Sequence, residues 1–154
     1  MNLDEFITED AIVPDLKVSS KKQLLQALSE KGAEITGLSA RSIFDTILQR
    51  ERLGSTGVGK GIAIPHGKFA TYDRITGVFA RLREPIDFEA LDDQPVDIVF
   101  LLLAPESAGA DHLKALSRIA RVLRDPALTG KLRSTSDPAA LFAFLTEGQA
   151  SNAA

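Results

Sequence analysis

Apolar residues recur with helical spacing in the first third of the chain. Ser20 and Gln23 have the spacing of a capping box, which predicts that a helix starts there, and Gly32 is its predicted end. A second helix is predicted over residues 39–51. The apolar positions that place one face of each helix against a core are Leu24, Leu25 and Leu28 in the first, and Ile43, Phe44, Ile47 and Leu48 in the second.

The same spacing returns in the last third of the chain. Residues 111–124 predict a helix whose inward-facing residues are Leu113, Leu116, Ala120 and Leu123. Pro138 suits the first position of a further helix, and Gly148 is the predicted end of that helix. Residues 149–154 are small and polar, and we predict that they form a disordered tail.

Between these helices the apolar residues are arranged as in strands. Residues 62–64 predict a short strand ended by Pro65, and residues 75–82 predict a second strand. Residues 96–104 are apolar except for Asp97, which is typical of a central strand covered on both faces. Because helices and strands interleave, the pattern predicts an α/β fold. We expect a single domain over residues 1–148, with one mixed β-sheet sandwiched between helices on both faces.

Composition narrows the chemistry that this chain can perform. Its 154 residues suffice for one domain with a substantial core. The absence of cysteine excludes disulfides, thiol nucleophiles and zinc–thiolate sites, and two histidines are too few for a histidine-rich metal site. These two histidines, His66 and His112, are the side chains that normally titrate near neutrality. Chemistry at neutral pH is therefore expected at them first.

Charge and hydropathy argue against two classes of partner. The net charge of −3 does not indicate nucleic-acid binding. The longest apolar run, residues 98–104, is far too short to span a bilayer. The acidic start of the chain lacks the layout of a secretion signal. We therefore expect a cytoplasmic protein that is not a membrane protein.

The residues best suited to chemistry concentrate between residues 50 and 68. Glycines there allow backbone N–H groups to approach an anion, and hydroxyls and cations add donors for phosphate oxygens. The candidate phosphate-binding residues are Ser55, Thr56, Gly57, Gly59 and Lys60. Pro65 stiffens the backbone before His66, and Gly67 leaves room in front of the imidazole ring. The pattern predicts a nucleophilic imidazole at the end of a strand, beside a loop that suits an oxyanion.

Two nucleotide-binding patterns compete for the same glycines. Gly54, Gly59 and Lys60 match most of the phosphate-binding loop of nucleotide hydrolases, but Gly61 occupies the position of its magnesium-binding hydroxyl residue. The stretch also follows a helix and enters a strand, which reverses the order that this loop requires. The dinucleotide pattern fails because Ile62 stands where a third glycine is needed. We therefore expect no nucleotide and no other cofactor.

Taken as one string, residues 50–68 resemble a known active-site signature. The Gly-Ser-Thr-Gly-x-Gly segment (residues 54–59) and the Pro-His-Gly segment (residues 65–67) are similar to those of enzyme IIA domains of the fructose–mannitol class in the bacterial phosphotransferase system. Residues 50–57, Arg-Glu-Arg-Leu-Gly-Ser-Thr-Gly, are most similar to the nitrogen-regulatory branch of that family. The resemblance implies a mixed sheet sandwiched by helices. It also implies that His66 is phosphorylated on Nε2, with no metal or nucleotide used directly.

The resemblance further implies two residues that assist His66. His112 matches a second family histidine at the start of a helix, and Arg50 matches an arginine near the phosphoryl group. Free N–H groups at a helix start favour anions and disfavour an imidazolium, which supports a site role for His112. The alternatives are a solvated surface histidine and, for Arg50, a cation that stabilises the end of a helix.

The expected partners also follow from the resemblance. The phosphoryl donor would be an HPr-like phosphocarrier protein (NPr), itself a phosphohistidine, and the regulated targets would include sensor kinases and potassium transport systems. No IIB domain or membrane segment is joined to this sequence, which favours regulation. The alternative is a sugar-specific IIA domain that passes its phosphoryl group to a IIB domain. Oligomeric state stays open.

A basic stripe lies at helical spacing beyond His112. It consists of Lys114, Arg118, Arg121 and Arg124. Such a stripe is usually a solvated helix face, and it also suits the steering of an acidic partner.

Overall fold

The computed structural model describes the backbone of residues 2–152 and the side chains of residues 2–147. Its α-helices are α1 (Lys21–Thr36), α2 (Ala40–Arg52), α3 (Ala110–Leu123), α4 (Pro126–Arg133) and α5 (Pro138–Asn152). Its strands are β1 (Ile12–Leu16), β2 (Gly57–Gly59), β3 (Ile62–Ala63), β4 (His66–Phe69), β5 (Thr76–Ile86) and β6 (Val96–Pro105). Short 3₁₀ helices occur at Leu3–Glu5, Glu9–Ala11 and Glu106–Ala108.

β6 is the central strand, as its continuous apolar run predicts. The strand order is β1-β5-β6-β3-β2, with β4 also paired to β6. β5 runs antiparallel to β6, whereas β3 and β4 run parallel to it, one after the other along the same side. Ile62 pairs with Ile98 and His66 pairs with Leu102. The chain therefore follows β6 with one interruption between β3 and β4, which places His66 beside the second half of β6.

Alternate residues of β6 face two different layers of helices. A Cβ placed on Gly32 of α1 would lie 3.2 Å from Leu103 Cδ1, so Leu103 faces the layer of α1 and α2. Ile98 points the other way. Its cross-strand neighbour Arg81 donates a hydrogen bond of 2.9 Å to the Arg133 carbonyl at the end of α4. The predicted mixed sheet between helices on both faces is thus confirmed.

The predicted end of α1 at Gly32 is wrong. The helix continues to Thr36 and ends at Gly37, whose φ of 79° is left-handed. A glycine ends a helix where the backbone must turn into that conformation. Gly32 instead lies where α1 packs closely against its neighbours, since a Cβ there would also lie 3.2 Å from Ile43 Cδ1 of α2. Gly32 is therefore a close-packing position.

α3 turns a different face to the sheet from the one predicted. Leu113 is 64% exposed, so its predicted inward position is wrong, whereas Leu123 is buried as predicted. Leu116 and Ala120 are half-buried. The residues that α3 buries are His112, Ala115, Ile119, Val122 and Leu123. The apolar arc of this helix is wider than its contact with the sheet, so helical spacing alone cannot locate the buried part.

The last two helices, α4 and α5, depart from the prediction in different ways. α4 was not predicted, although Asp125 accepts a hydrogen bond from the Ala127 N–H and Pro126 occupies the first turn, which are ordinary helix-start signals. α5 starts at Pro138 as predicted, but its predicted end at Gly148 is wrong, because the helix continues to Asn152. Residues 149–152 of the predicted tail belong to this helix, and residues 153–154 lie outside the described residues.

Candidate active site

His66 opens β4 at the place where α2 ends and α3 begins. The next residue, Gly67, faces α2, because a Cβ there would lie 2.8 Å from Thr46 Cγ2. Successive strand residues point to opposite faces, so the imidazole of His66 faces α3. Its ring centroid lies 5.5 Å from that of His112, with the two rings inclined by 53°. The structure therefore brings the two histidines of the chain together.

The tautomer of His66 is fixed by the backbone just before it. Nδ1 lies 2.9 Å from the carbonyl oxygen of Ile64. A carbonyl only accepts hydrogen bonds, so Nδ1 donates and Nε2 holds the lone pair. Burial lowers the pKa of His66, the hydrogen bond to Ile64 opposes that change, the charges of Arg50 and Lys68 also lower it, and Glu51 raises it. The result is a neutral ring at pH 7 with Nε2 as its nucleophilic atom.

His112 lies in the first turn of α3 and is only 4% exposed. Burial lowers its pKa to about 4, and the nearby His66 and Lys68 lower it as well. Its Nδ1 is buried and has no hydrogen-bond partner among the described residues. His112 is therefore a neutral, buried imidazole at the site, and the alternative of a solvated surface histidine is wrong.

A pocket of about 700 Å³ opens beside both rings. Its cations come from the end of α2 and from β4, and its apolar rim comes from α3 and the residue after α2. These residues are Arg50, Arg52, Lys68, Leu53, Leu113 and Leu116. Arg50 Nη1 donates a hydrogen bond of 2.9 Å to the Gly54 carbonyl, which holds the guanidinium near the end of its own helix. A pocket with three cations suits an anionic group such as a phosphoryl.

The residues predicted to bind phosphate do not line this pocket. Gly57, Gly59 and Lys60 belong to the hairpin formed by β2 and β3, which turns through Lys60 with a φ of 59°, and Ser55 and Thr56 come just before it. Ser55 Oγ donates to the Phe88 carbonyl, and the Lys60 N–H donates to Asp92 Oδ2. Contact between phosphate and the set Ser55, Thr56, Gly57, Gly59 and Lys60 stays a prediction, and the structure places these residues in the hairpin and just before it, outside the pocket lining.

Glu51 is a site-adjacent residue that sequence reasoning missed. Its side chain is 2% exposed and lies 3.0 Å from Lys21 Nζ. Glu51 Oε1 accepts a hydrogen bond of 3.1 Å from the Thr56 N–H, and Glu51 Oε2 accepts one from the Thr56 hydroxyl. A signal was present, because Glu51 continues the buried stripe of Ile43 and Ile47 at a spacing of four residues. A carboxylate at a core position of a helix indicates a specific partner.

Two kinds of feature are lacking among residues 2–152. Among them, no helix combines the length and the apolar character needed to cross a membrane. Within the same part of the chain, no three side chains of His, Asp, Glu or Cys are grouped so that they could hold a metal ion.

Comparison with known proteins identifies relatives over almost the whole chain. The family model described as "Phosphoenolpyruvate-dependent sugar phosphotransferase system, EIIA 2" matches residues 5–148. A nitrogen regulatory protein of Bradyrhizobium diazoefficiens is 57% identical over 145 residues, which are 94% of this chain and 95% of that protein.

Solved structures agree with the sequence relatives. The nitrogen regulatory protein IIA-Ntr from Neisseria meningitidis matches with a TM-score of 0.89 and 38% identity, covering 94% of this chain and 99% of that one. The IIA mannitol structure from Escherichia coli matches in fold, with a TM-score of 0.76 at 20% identity over 90% of this chain and 98% of that one. The chain therefore belongs to the EIIA 2 family of the phosphoenolpyruvate-dependent sugar phosphotransferase system, and within it resembles the nitrogen-regulatory IIA proteins.

Proposed function

We propose that this protein is a cytoplasmic phosphoryl carrier of the nitrogen-type phosphotransferase system. His66 accepts a phosphoryl group on Nε2 from an HPr-like phosphocarrier (NPr), and the phosphorylated and unphosphorylated forms act differently on regulated proteins. The observation that carries the proposal is the 2.9 Å hydrogen bond from His66 Nδ1 to the Ile64 carbonyl. That bond leaves Nε2 unprotonated in a residue that lines a cationic pocket.

The proposed reaction exchanges one nitrogen–phosphorus bond for another. Nε2 of His66 attacks the phosphorus of the donor phosphohistidine, and the bond from phosphorus to the donor nitrogen breaks. The electron pair of that bond stays on the donor imidazole. His66 has no proton to lose from Nε2, so the step needs no general base at this site. Alignment and charge stabilisation then supply most of the catalysis.

The neighbours of His66 fit these two needs. Arg50, Arg52 and Lys68 line the pocket and place positive charge where the phosphoryl oxygens would lie. His112 is neutral at pH 7, so it carries one N–H that can donate to a phosphoryl oxygen without adding a charge. Its Nδ1 is not already engaged by another described residue, which leaves the ring free to serve the ligand.

Mapping the phosphoryl group tests the proposal directly. Purified protein is incubated with the phosphorylated phosphocarrier, and the acid-labile phosphate is located by mass spectrometry. We expect labelling at His66 alone and none in His66→Ala, with Asp45→Asn, an exposed change on α2, labelled like the wild type. Retained labelling of His66→Ala would overturn the assignment of the nucleophile.

The choice between regulation and sugar transfer needs a second measurement. Regulation is favoured because a 57% identical relative bears the name nitrogen regulatory protein. Labelled protein is offered to purified IIB domains from the fructose and mannitol systems. Retention of the label supports the regulatory role, whereas rapid loss to a IIB domain would favour the sugar-specific alternative.

A further inference from the structure

The buried carboxylate of Glu51 is not used directly in the proposed transfer. Its side chain is 2% exposed, and burying a carboxylate is costly unless it is paired and hydrogen-bonded. Three donors meet that requirement, namely the N–H and the hydroxyl of Thr56 and the ammonium of Lys21. Lys21 also lies 4.4 Å from the centre of the Phe88 ring, which holds its position. Two of the three donors belong to one residue, so Glu51 fixes both the backbone and the side chain of Thr56.

Thr56 connects this carboxylate to His66 through the backbone. The Thr56 carbonyl accepts a hydrogen bond of 3.0 Å from the Ile64 N–H. The Ile64 carbonyl in turn accepts the hydrogen bond from His66 Nδ1. Ile64 lies in the interruption between β3 and β4, so its own N–H and carbonyl bond to Thr56 and His66 and not to β6. The hydrogen bond from the Ile64 N–H to the Thr56 carbonyl therefore restrains the backbone just before the Ile64 carbonyl. On the other side, the Pro65 carbonyl accepts a hydrogen bond of 3.0 Å from the Leu102 N–H of β6.

We propose that Glu51 is a positioning residue for His66: acting through Thr56 and Ile64, it holds the carbonyl that keeps His66 in its Nδ1–H tautomer. The series runs from Lys21 through Glu51, Thr56 and Ile64 to the imidazole. Its catalytic consequence rests on the proposed phosphoryl transfer, but the positioning itself exists in the unphosphorylated protein. Glu51 does not line the pocket and makes no described hydrogen bond to the ring. Its charge raises the pKa of His66, and its effect on the tautomer comes through the geometry that it imposes.

Nuclear magnetic resonance of the imidazole nitrogens measures this positioning without any phosphoryl donor. The chain has only two histidines, so ¹H–¹⁵N spectra of the rings are simple, and His66→Ala identifies the signals of His66. We compare wild type, Glu51→Gln and Thr56→Val at pH 7.5. Thr56→Ser keeps the hydroxyl and serves as the conservative rescue. Asp45→Asn removes a carboxylate from the same helix at an exposed pair with Arg41 and serves as the matched control.

The expected result is a change of tautomer that follows the hydrogen bonds of Thr56. Glu51→Gln and Thr56→Val should shift His66 from the Nδ1–H form toward a mixture of the two forms. Thr56→Ser and Asp45→Asn should keep the wild-type signals. Phosphoryl acceptance should slow by about 10–100-fold in the first two variants, which is the scale of misplacing a reacting group by a fraction of an ångström to one ångström.

Each outcome decides the inference. A wild-type tautomer in folded Glu51→Gln would overturn it, and if that variant does not fold, the tautomer in Thr56→Val decides in the same way. If Glu51→Gln shifts the tautomer but wild-type His66 takes no phosphoryl group from the phosphocarrier, the positioning role stands and the proposed function fails. If wild-type His66 is phosphorylated but its tautomer is indifferent to both variants, the proposed function stands and the positioning role fails.

Discussion

At the scale of single residues, the two histidines share one pocket in different surroundings. His66 is half-buried and donates Nδ1–H to the Ile64 carbonyl, whereas His112 is 4% exposed and its Nδ1 has no described partner. Burial is the largest cause that lowers the pKa of each ring. Both rings are therefore neutral at pH 7, but among the residues described only His66 has its tautomer held by a hydrogen bond. This difference supports His66 as the nucleophile and His112 as a hydrogen-bond donor.

Removing either neighbour of His66 should slow transfer without unfolding the protein. His112→Ala and Arg50→Ala each lose one group placed to stabilise charge on the phosphoryl, and such a loss costs about 10²–10³ in rate. Rapid-quench measurement of phosphoryl acceptance checks this, with circular dichroism to confirm folding. Arg41→Ala removes a guanidinium from the exposed side of α2 and is the control. Wild-type rates in both variants would place His112 and Arg50 outside the site.

His112 should also make stability depend on pH. Its pKa is about 4 in the folded protein and 6.5 in its ordinary state, so between these values the unfolded chain binds more protons. The contribution of His112 to the free energy of unfolding is therefore fully present above pH 6.5 and is lost as the pH falls. From pH 7 to pH 5 this group lowers the free energy of unfolding by about 2 kcal/mol.

Urea unfolding at the two pH values measures that loss. His112→Asn lacks the titrating ring, so its stability should fall less between pH 7 and pH 5 than that of the wild type. The carboxylates and His66 contribute to both proteins and cancel in the comparison. Equal losses in the two proteins would show that His112 does not titrate below its usual range.

At the scale of elements, the site depends on how closely α2 packs against β4. A Cβ on Gly67 would lie 2.8 Å from Thr46 Cγ2, a separation that real Cβ atoms do not show. The lack of a side chain at Gly67 therefore lets α2 approach β4. Because Arg50 lies one turn beyond Thr46 on the same helix, this approach also sets the distance between its guanidinium and the pocket.

Gly67→Ala should destabilise the protein and impair the site together. The added methyl group overpacks the contact between α2 and β4, which costs about 1–3 kcal/mol. Gly130→Ala in α4 is the matched control, because nothing lies within 4 Å of its added Cβ, and alanine there gains up to about 1 kcal/mol of helix propensity. Urea unfolding and phosphoryl acceptance should both worsen in Gly67→Ala alone. If Gly67→Ala has the stability and the phosphoryl acceptance of the wild type, the contact between α2 and β4 has space for the added methyl group.

At the scale of the whole molecule, the proposed phosphorylation would change the character of one surface. Leu53 and Leu113 are 86% and 64% exposed and form an apolar rim around the pocket. The unphosphorylated surface is apolar and cationic, which a protein partner can bury. A phosphoryl group adds about −1.5 to −2 charges. Docking on the phosphorylated form must then desolvate a dianion, which is unfavourable unless the partner supplies cations.

A regulated target should therefore prefer the unphosphorylated protein. We expect a candidate target, such as a sensor kinase, to bind wild type and His66→Ala alike. It should bind phosphorylated wild type and His66→Asp, a charge mimic, at least tenfold more weakly. Isothermal titration calorimetry measures the four affinities. If both forms of the wild type bind the target equally, regulation does not act through this surface, and the sugar-specific alternative becomes stronger.

The sequence by itself determined those features that depend on neighbours within a few residues. Ser20 and Ser39 cap helices through side chains that reach N–H groups three residues ahead, so both helix starts were predictable. The apolar run of β6 predicted a strand buried on both faces. The contiguous motif around His66 likewise led to the family, because its residues are adjacent in the chain.

Only the tertiary structure decided which of several locally equivalent residues meet. Gly32 and Gly37 are both plausible ends of α1, and contact with Ile43 and Leu103 distinguishes the first from the second. The wide apolar arc of α3 does not predict that Leu113 is exposed to solvent while His112 is buried against His66. Burial and close approach arise from packing between elements that are far apart in sequence. The local propensity of a segment carries no information about that packing.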